Sequence, residues 1–573
     1  MAEKISYPML EKLYNILSKL YNSIVKLSGN VEKITGRTPE IIVSLLYAVL
    51  HFVISFFHEP WYDEAVAWQI AKCASVKDIL FTLPHYEGHP PLWHLILLPF
   101  AKLGCPYEFS LSLVSLVFAG ASVLLIIWKA PFPRIIRLLM PFTYFLFYQY
   151  GVISRPYCVM TLAFILCAIT FKERDNKPWP HILSLMLLCL ASAYGILFAG
   201  GITIAWLLGL LKKDGFRFLL DKKRTLALFC LLALAIVLIL EIFPASDTFA
   251  IVLDKLVPKK NSLLARLAYT FLALPADSFI TNIYSKCDML SYLPLQNYSM
   301  IPGIIIGIFI WIVAIYFTKK RGTLLTLIIP YSIFAVFSAV KYFYLHHIGI
   351  GFIFALFCIW SSCNCNTVST DSKNTLADSI IKYVSCITCV LFIAVSLYWN
   401  ISASVCDIIY QYDSGKEIAN YISDNNLDDY KIFVPVEAYY EFDENDNITD
   451  NIIDCTFNQS NSDSVLAYFD RNIFLNLNDG RDDMAYSFHK FSGLAENAEL
   501  IEKWRGYGAP DVVYAQDFNV DIVYEDIADP SDYVMVYFSE YSHLWKGKTP
   551  ASARCLFVRK ELVEELGLKR AFE

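Results

Sequence analysis

Charge is scarce in this chain. Only 18% of its 573 residues are charged, against 56% hydrophobic and 15% aromatic, and the mean hydropathy is +0.46. A soluble protein of this length needs far more polar surface, so the composition excludes an ordinary globular enzyme and implies a polytopic membrane protein. Other signals are missing too. No glycine-rich phosphate loop is present, which removes the usual nucleotide-binding motif. Internal repeats and low-complexity linkers are lacking. The fifteen cysteines are odd in number, follow no framework spacing and mostly fall in apolar runs, as small buried hydrophobes do. Cys363 and Cys365 have no second pair at zinc-site spacing, so no metal is assigned to them.

The first forty residues carry Lys4, Lys12, Lys19, Lys26, Lys33 and Arg37 between apolar residues. They have neither the short apolar core nor the cleavage site of a signal peptide, so residues 1–40 read as a basic, amphipathic cytoplasmic segment. A first apolar run, Ile41 to Phe57, then serves as an uncleaved anchor, and further runs continue to Trp399. Together they predict about eleven spans, several of them shorter than the roughly 20 residues of a straight crossing. The stretch from Pro90 to Leu103 decides the topology, because it is short and contains Pro99. Laid on the outer leaflet, it leaves the basic loops around Arg134, Arg174, Lys213 and Lys320 on the side of the N-terminus, as the positive-inside rule requires. The Asp63 loop, Arg155, the stretch from Lys341 and the whole tail then share the opposite face.

The loop from 58 to 108 is where polar chemistry concentrates. Asp63 and Glu64 lie just past the first run, and His85, Tyr86, Glu87, Gly88, His89, Pro90 and Pro91 close the same loop. A carboxylate at a membrane boundary is costly to keep charged and is a functional candidate by default. The plainer reading of Asp63 and Glu64 is as cap and first-turn charge of the helix that EAVAWQIAKCA predicts. Residues 401–573 read as a soluble α/β domain, with DSGKEIANYISDNN and NAELIEKWRGYG as helices and KIFVPV, DVVYA, YVMVYF and CLFVRK as strands of a partly parallel sheet. Acidic residues concentrate in this tail, and no nucleic-acid partner is expected.

Four stretches in order, WYDEA, HYEGHPPLW, SRPY and KYFYLHHIG, together resemble the C-type membrane glycosyltransferases. The similarity is greatest to bacterial members of the dolichyl-phosphate-mannose protein mannosyltransferase and lipid A aminoarabinose transferase group, and it covers residues 1–400. This resemblance implies inverting transfer of a hexose or pentose from a polyprenyl-phosphate carrier to a glycan, lipid or protein of the cell envelope. It implies a site on the outer face of what would be a bacterial plasma membrane; apart from the resemblance, no cofactor is expected. Asp63 matches the family's catalytic base, with Glu64 supporting it or positioning the acceptor. Arg155, His89, Lys341, His346 and His347 would contact the donor phosphate, and Trp61, His85, Tyr86, Glu87 and Tyr157 the substrates. Some relatives carry Lys or Arg where this chain has His89.

Alternatives stand beside these assignments. Arg155 and Lys341 could snorkel to lipid headgroups, and His85, Glu87, His89 and Glu64 could build a divalent-metal site, although their spacing matches no standard signature. A transporter or flippase of lipid-linked sugars would place ionisable residues in mid-span, where this chain has few. A non-catalytic envelope scaffold would tolerate replacement of Asp63.

Overall fold

The computed structural model describes residues 6–248, 261–280, 297–365, 376–434, 436–442, 448–457, 459–477, 502–515, 527–542 and 552–572. Helix α1 covers Ser6–Glu32 and is followed by α2, Thr38–Phe57. Pro39 in its first turn presets the helical backbone. Glu40 is buried there against Arg134, which donates from Nε and Nη2 to the two carboxylate oxygens at 2.7 and 2.6 Å. Most of the outward side chains of α2, including Ile41, Leu45 and Phe56, are exposed apolar groups, as a bilayer-facing helix requires.

The loop after α2 folds into four short helices: α3 (Tyr62–Cys73), α4 (Val76–Phe81), α5 (Pro84–Glu87) and α6 (Leu92–Lys102). Gly88 ends α5 in the left-handed conformation, with φ of 64°. The eleven residues of α6, with Pro99 inside, rise roughly 16 Å, about half the hydrocarbon thickness. Helix α7, Tyr107–Lys129, follows as a long apolar helix.

The predicted apolar runs are all helical, but they are not all of spanning length. Among the described residues, seven helices are long and apolar enough to cross a membrane: Thr38–Phe57, Tyr107–Lys129, Ala193–Leu220, Lys222–Glu241, Ile301–Lys320, Leu345–Cys363 and Ser379–Ile409. This is an integral membrane protein. The helices Pro178–Ala191 and Leu324–Val340 are apolar but shorter, as is α9, Tyr157–Thr170. The run from Ile135 is broken into α8 (Arg134–Leu139), a 3-10 turn and a π-helix over Phe145–Val152, all eight of whose residues are buried.

Irregular backbone among apolar helices needs outside partners for its polar groups. Here Tyr47 Oη donates to the Leu146 carbonyl at 3.1 Å, Ser115 Oγ donates to the Gly151 carbonyl, and Ser396 Oγ accepts from Tyr144 N at 3.0 Å. The π-helix so held delivers the chain to Ser154 and Arg155.

After the last long helix, Leu376–Ile409, the chain forms a small sheet region. Six strands are described: β1 (Ile432–Phe433), β2 (Val436–Phe442), β3 (Ile448–Phe457), β4 (Val512–Ala515), β5 (Tyr533–Tyr541) and β6 (Ser552–Arg559). The order β1-β4-β6-β5 has one parallel pair, β1 with β4, and β2 pairs with β3 as a separate antiparallel ribbon. The predicted helix at DSGKEIANYISDNN is present as Gly415–Asp424, whereas NAELIEKWRGYG is helical over 502–507 and its first residues lie outside the described ones. Ile418, Ile422, Val465, Phe474, Val512, Tyr514 and Leu556 form the core beside the sheet. A buried Arg554–Asp413 pair ties β6 to the start of this region, with Nη2 at 3.0 Å from Oδ2.

Candidate active site

Asp63 lies in the first turn of α3, and its Oδ2 meets Arg155 Nη1 at 2.9 Å. The side chains retain 21% and 14% exposure, so the pair is shielded on most sides and open on one. Burial works against the charge of Arg155, but Asp63, Tyr157 and Glu64 outweigh it and hold the guanidinium above its ordinary value. Rings lie beside the pair, whose charges act on His346 and Tyr157. Trp61 and His346 have centroids 6.3 Å apart, Tyr157 and His346 5.9 Å, and His346 and His347 4.1 Å. Tyr150 Oη donates to the His346 carbonyl at 2.7 Å, which fastens this turn to the π-helix. His347 Nδ1 accepts from Tyr344 N at 2.9 Å, so its proton resides on Nε2.

Glu64 has a different environment. It is fully buried; Oε1 accepts from Ser154 N at 2.6 Å, while Oε2 accepts from Trp61 N at 3.2 Å and meets His58 Nε2 at 3.1 Å. One carboxylate thus caps α3 and holds the residue next to Arg155. The other face of His58 meets Asp407 Oδ2 through Nδ1 at 3.0 Å. Burial alone would strip the proton from this imidazole, but Asp407 and Glu64 together hold it well above its ordinary value. An imidazolium clamped between two carboxylates joins the end of α2, the first turn of α3 and the last turn of the final long helix.

His58 and Asp407 were not among the residues singled out from sequence, yet the rule that flagged Asp63 applies equally to Asp407. It too is a carboxylate at the edge of an apolar run. What no sequence signal could supply is that residues 349 positions apart meet at one imidazole.

The other predicted residues divide. His89 acts electrostatically on His346, and Glu87 and Asp63 on Tyr62. His85 and Tyr86 turn elsewhere: His85 Nδ1 bonds the Phe243 carbonyl at 2.6 Å, and Tyr86 Oη donates to Asp247 at 3.2 Å. Lys341 is exposed at the end of the helix Leu324–Val340, and none of the ion pairs among the described residues includes it.

No protein-family model, curated protein or solved structure matches this chain. Its chemistry is therefore read from the side chains alone. A carboxylate and a guanidinium sharing an opening, with aromatic and imidazole rings beside them, can exchange a proton with a hydroxyl and hold an anion. Among the described residues, no group of three or more His, Cys, Asp or Glu is arranged to hold a metal ion; Glu64 and His85 are committed to the partners given above.

Proposed function

We propose that this membrane protein is a glycosyltransferase that moves one sugar from a polyprenyl-phosphate carrier to a cell-envelope glycan, lipid or protein, with inversion at the anomeric carbon. The observation that carries the reading is the half-open Asp63–Arg155 pair. The Asp63 carboxylate takes the proton of the acceptor hydroxyl as its oxygen bonds to the anomeric carbon, and the bond to the carrier phosphate breaks. Arg155 faces the phosphate and balances the charge that it gains. Trp61 and His346, both partly exposed, supply flat walls for a sugar ring, with the buried Tyr157 packed against His346, and the donor's chain stays in the bilayer beside the spans.

In this reading the N-terminus is cytoplasmic and the site and sheet region face the other side of a bacterial plasma membrane. The sheet region covers the loop around Asp63 through contacts that include Gln69 Nε2 to the Asp463 carbonyl at 2.6 Å, a placement suited to admitting an acceptor.

Asp63→Asn tests the proposal. With equal membrane levels, mass spectrometry of envelope glycans, lipids and proteins from wild type, a deletion strain and the variant should reveal one sugar-sized addition that disappears in both of the latter. A modification lost on deletion but retained in full by Asp63→Asn would remove the base from the mechanism and favour a transporter or scaffold.

A further inference from the structure

We propose that α1 is a docking strip for anionic phospholipid headgroups, lying along the membrane surface with one apolar edge in the bilayer. Residues seven apart on a helix recur within about 20° of one another, so Lys12, Lys19 and Lys26 form a single row, and Lys33 follows just past the end of the helix. All four are exposed. The neighbouring row is Ile16, Leu20 and Leu27, exposed by 48%, 49% and 57%. Apolar side chains left open beside a lysine row are the arrangement by which a helix sinks one edge among acyl chains while ammonium groups reach the phosphates.

A second observation puts the bilayer at the right place. Tyr14 and Tyr21, on another side of α1, pack on Tyr383 with centroids 5.7 and 4.7 Å apart, and the Lys382 ammonium lies 5.1 Å over the Tyr21 ring. Tyr383 is near the start of the candidate span Ser379–Ile409. The aromatic seam therefore holds α1 where that span enters the membrane. Glu32 further fastens the helix end by accepting from Arg134 N at 2.6 Å, which also occupies one of the few acidic groups of the segment. A second copy of the chain pairing through the same edge would bring two lysine rows together, whereas an anionic leaflet meets them with opposite charge. The strip is independent of the reaction at Asp63.

The test uses the full-length protein at one copy per nanodisc, in phosphatidylcholine alone or mixed with phosphatidylglycerol, with hydrogen exchange of residues 6–33 followed by mass spectrometry. Each lysine at an anionic surface strengthens attachment by about fivefold. Exchange should therefore slow by about tenfold or more in the anionic discs. High salt should abolish the difference, and so should the combined Lys12→Gln, Lys19→Gln and Lys26→Gln variant, whose changes lie on exposed positions. Leu20→Glu with Leu27→Glu should speed exchange in both lipids. Equal exchange in the two lipids overturns the proposal. So does a lipid difference that the lysine variant keeps, or protection that follows the number of copies per disc instead of lipid charge.

Discussion

Arg155 and His58 show how differently two cations serve one site. Arg155 is open on one side and holds a single carboxylate, so its value lies in what it can bind in place of Asp63. On the proposed reaction, Arg155→Ala should lower transfer by about a hundredfold or more, and Arg155→Lys should recover only part of it, because an ammonium lacks the planar fork that matches phosphate; sugar-transfer assays at equal protein level check this. His58 is closed in by Glu64 and Asp407. His58→Gln leaves two buried carboxylates without their cation and should destabilise the protein by about 3–5 kcal/mol, read by thermal unfolding in detergent. The pH dependence has a definite sign. Because the folded state holds the His58 proton above the ordinary value of 6.5, its contribution is complete below that value and is lost as pH rises through the raised one. The wild-type melting temperature should therefore fall on the alkaline side, and His58→Gln should flatten that slope. Glu59 slopes in the same direction: burial and the facing Glu417 push it up to about 10. Stability that depends on its proton declines between its ordinary range and that value, so Glu59→Gln should flatten the remaining slope.

At the scale of elements, the broken segment and the close helix crossings matter more than the long helices. The π-helix Phe145–Val152 leads the chain to Arg155 beside Asp63, and two other helices take up backbone groups within it, through Tyr47 at Leu146 and Ser115 at Gly151, while Ser396 from a third holds Tyr144 just before it. Gly201, in the helix Ala193–Asp214, touches the backbone of Pro330 in the helix Leu324–Val340: a Cβ there would lie 2.5 Å from Pro330 Cα. Backbone cannot swing aside as a flexible side chain does. Gly201→Ala should therefore separate the two helices and reduce stability by about 1–3 kcal/mol, measured as a shift in the thermal midpoint with the lipid composition held constant.

Across the whole molecule, the sheet region is joined to the membrane helices through the first loop. Lys72 Nζ donates to the Phe469 carbonyl at 3.0 Å and to Asp470, Tyr468 Oη donates to Glu108 at 2.8 Å, and Lys416 Nζ meets the same carboxylate at 2.9 Å. The Lys416 pair is partly exposed and should contribute less than about 1 kcal/mol. The buried contacts carry more, and Tyr107 packs edge-on against Tyr468 at 5.3 Å. A chain ending after Ile409 should expose the faces of α3 and the start of α7, and limited proteolysis should cut between His58 and Tyr107 in that chain well before it does so in the full-length protein.

Composition and hydropathy by themselves determined that the chain enters a membrane and which runs are helical, because burying a backbone in lipid leaves a sequence little choice of structure. The shortness of the stretch around Pro99 was also legible, as were the four strands β1, β4, β5 and β6 of the tail, whereas the polar ribbon of β2 and β3 was not. So was the carboxylate at Asp63, because a charge beside an apolar run stands out in any sequence. That several of those runs fall short of a crossing was legible too, but tertiary structure decided where one breaks, as around Phe145–Val152, where hydroxyls from distant helices bond the backbone. It also decided which polar residues meet. His85 and Tyr86 turn to the stretch around Phe243 and Asp247, while His58 reaches Asp407 across most of the chain. The reason is physical: a charge near a bilayer must find a partner, and its identity depends on which helices pack together and not on neighbours in sequence.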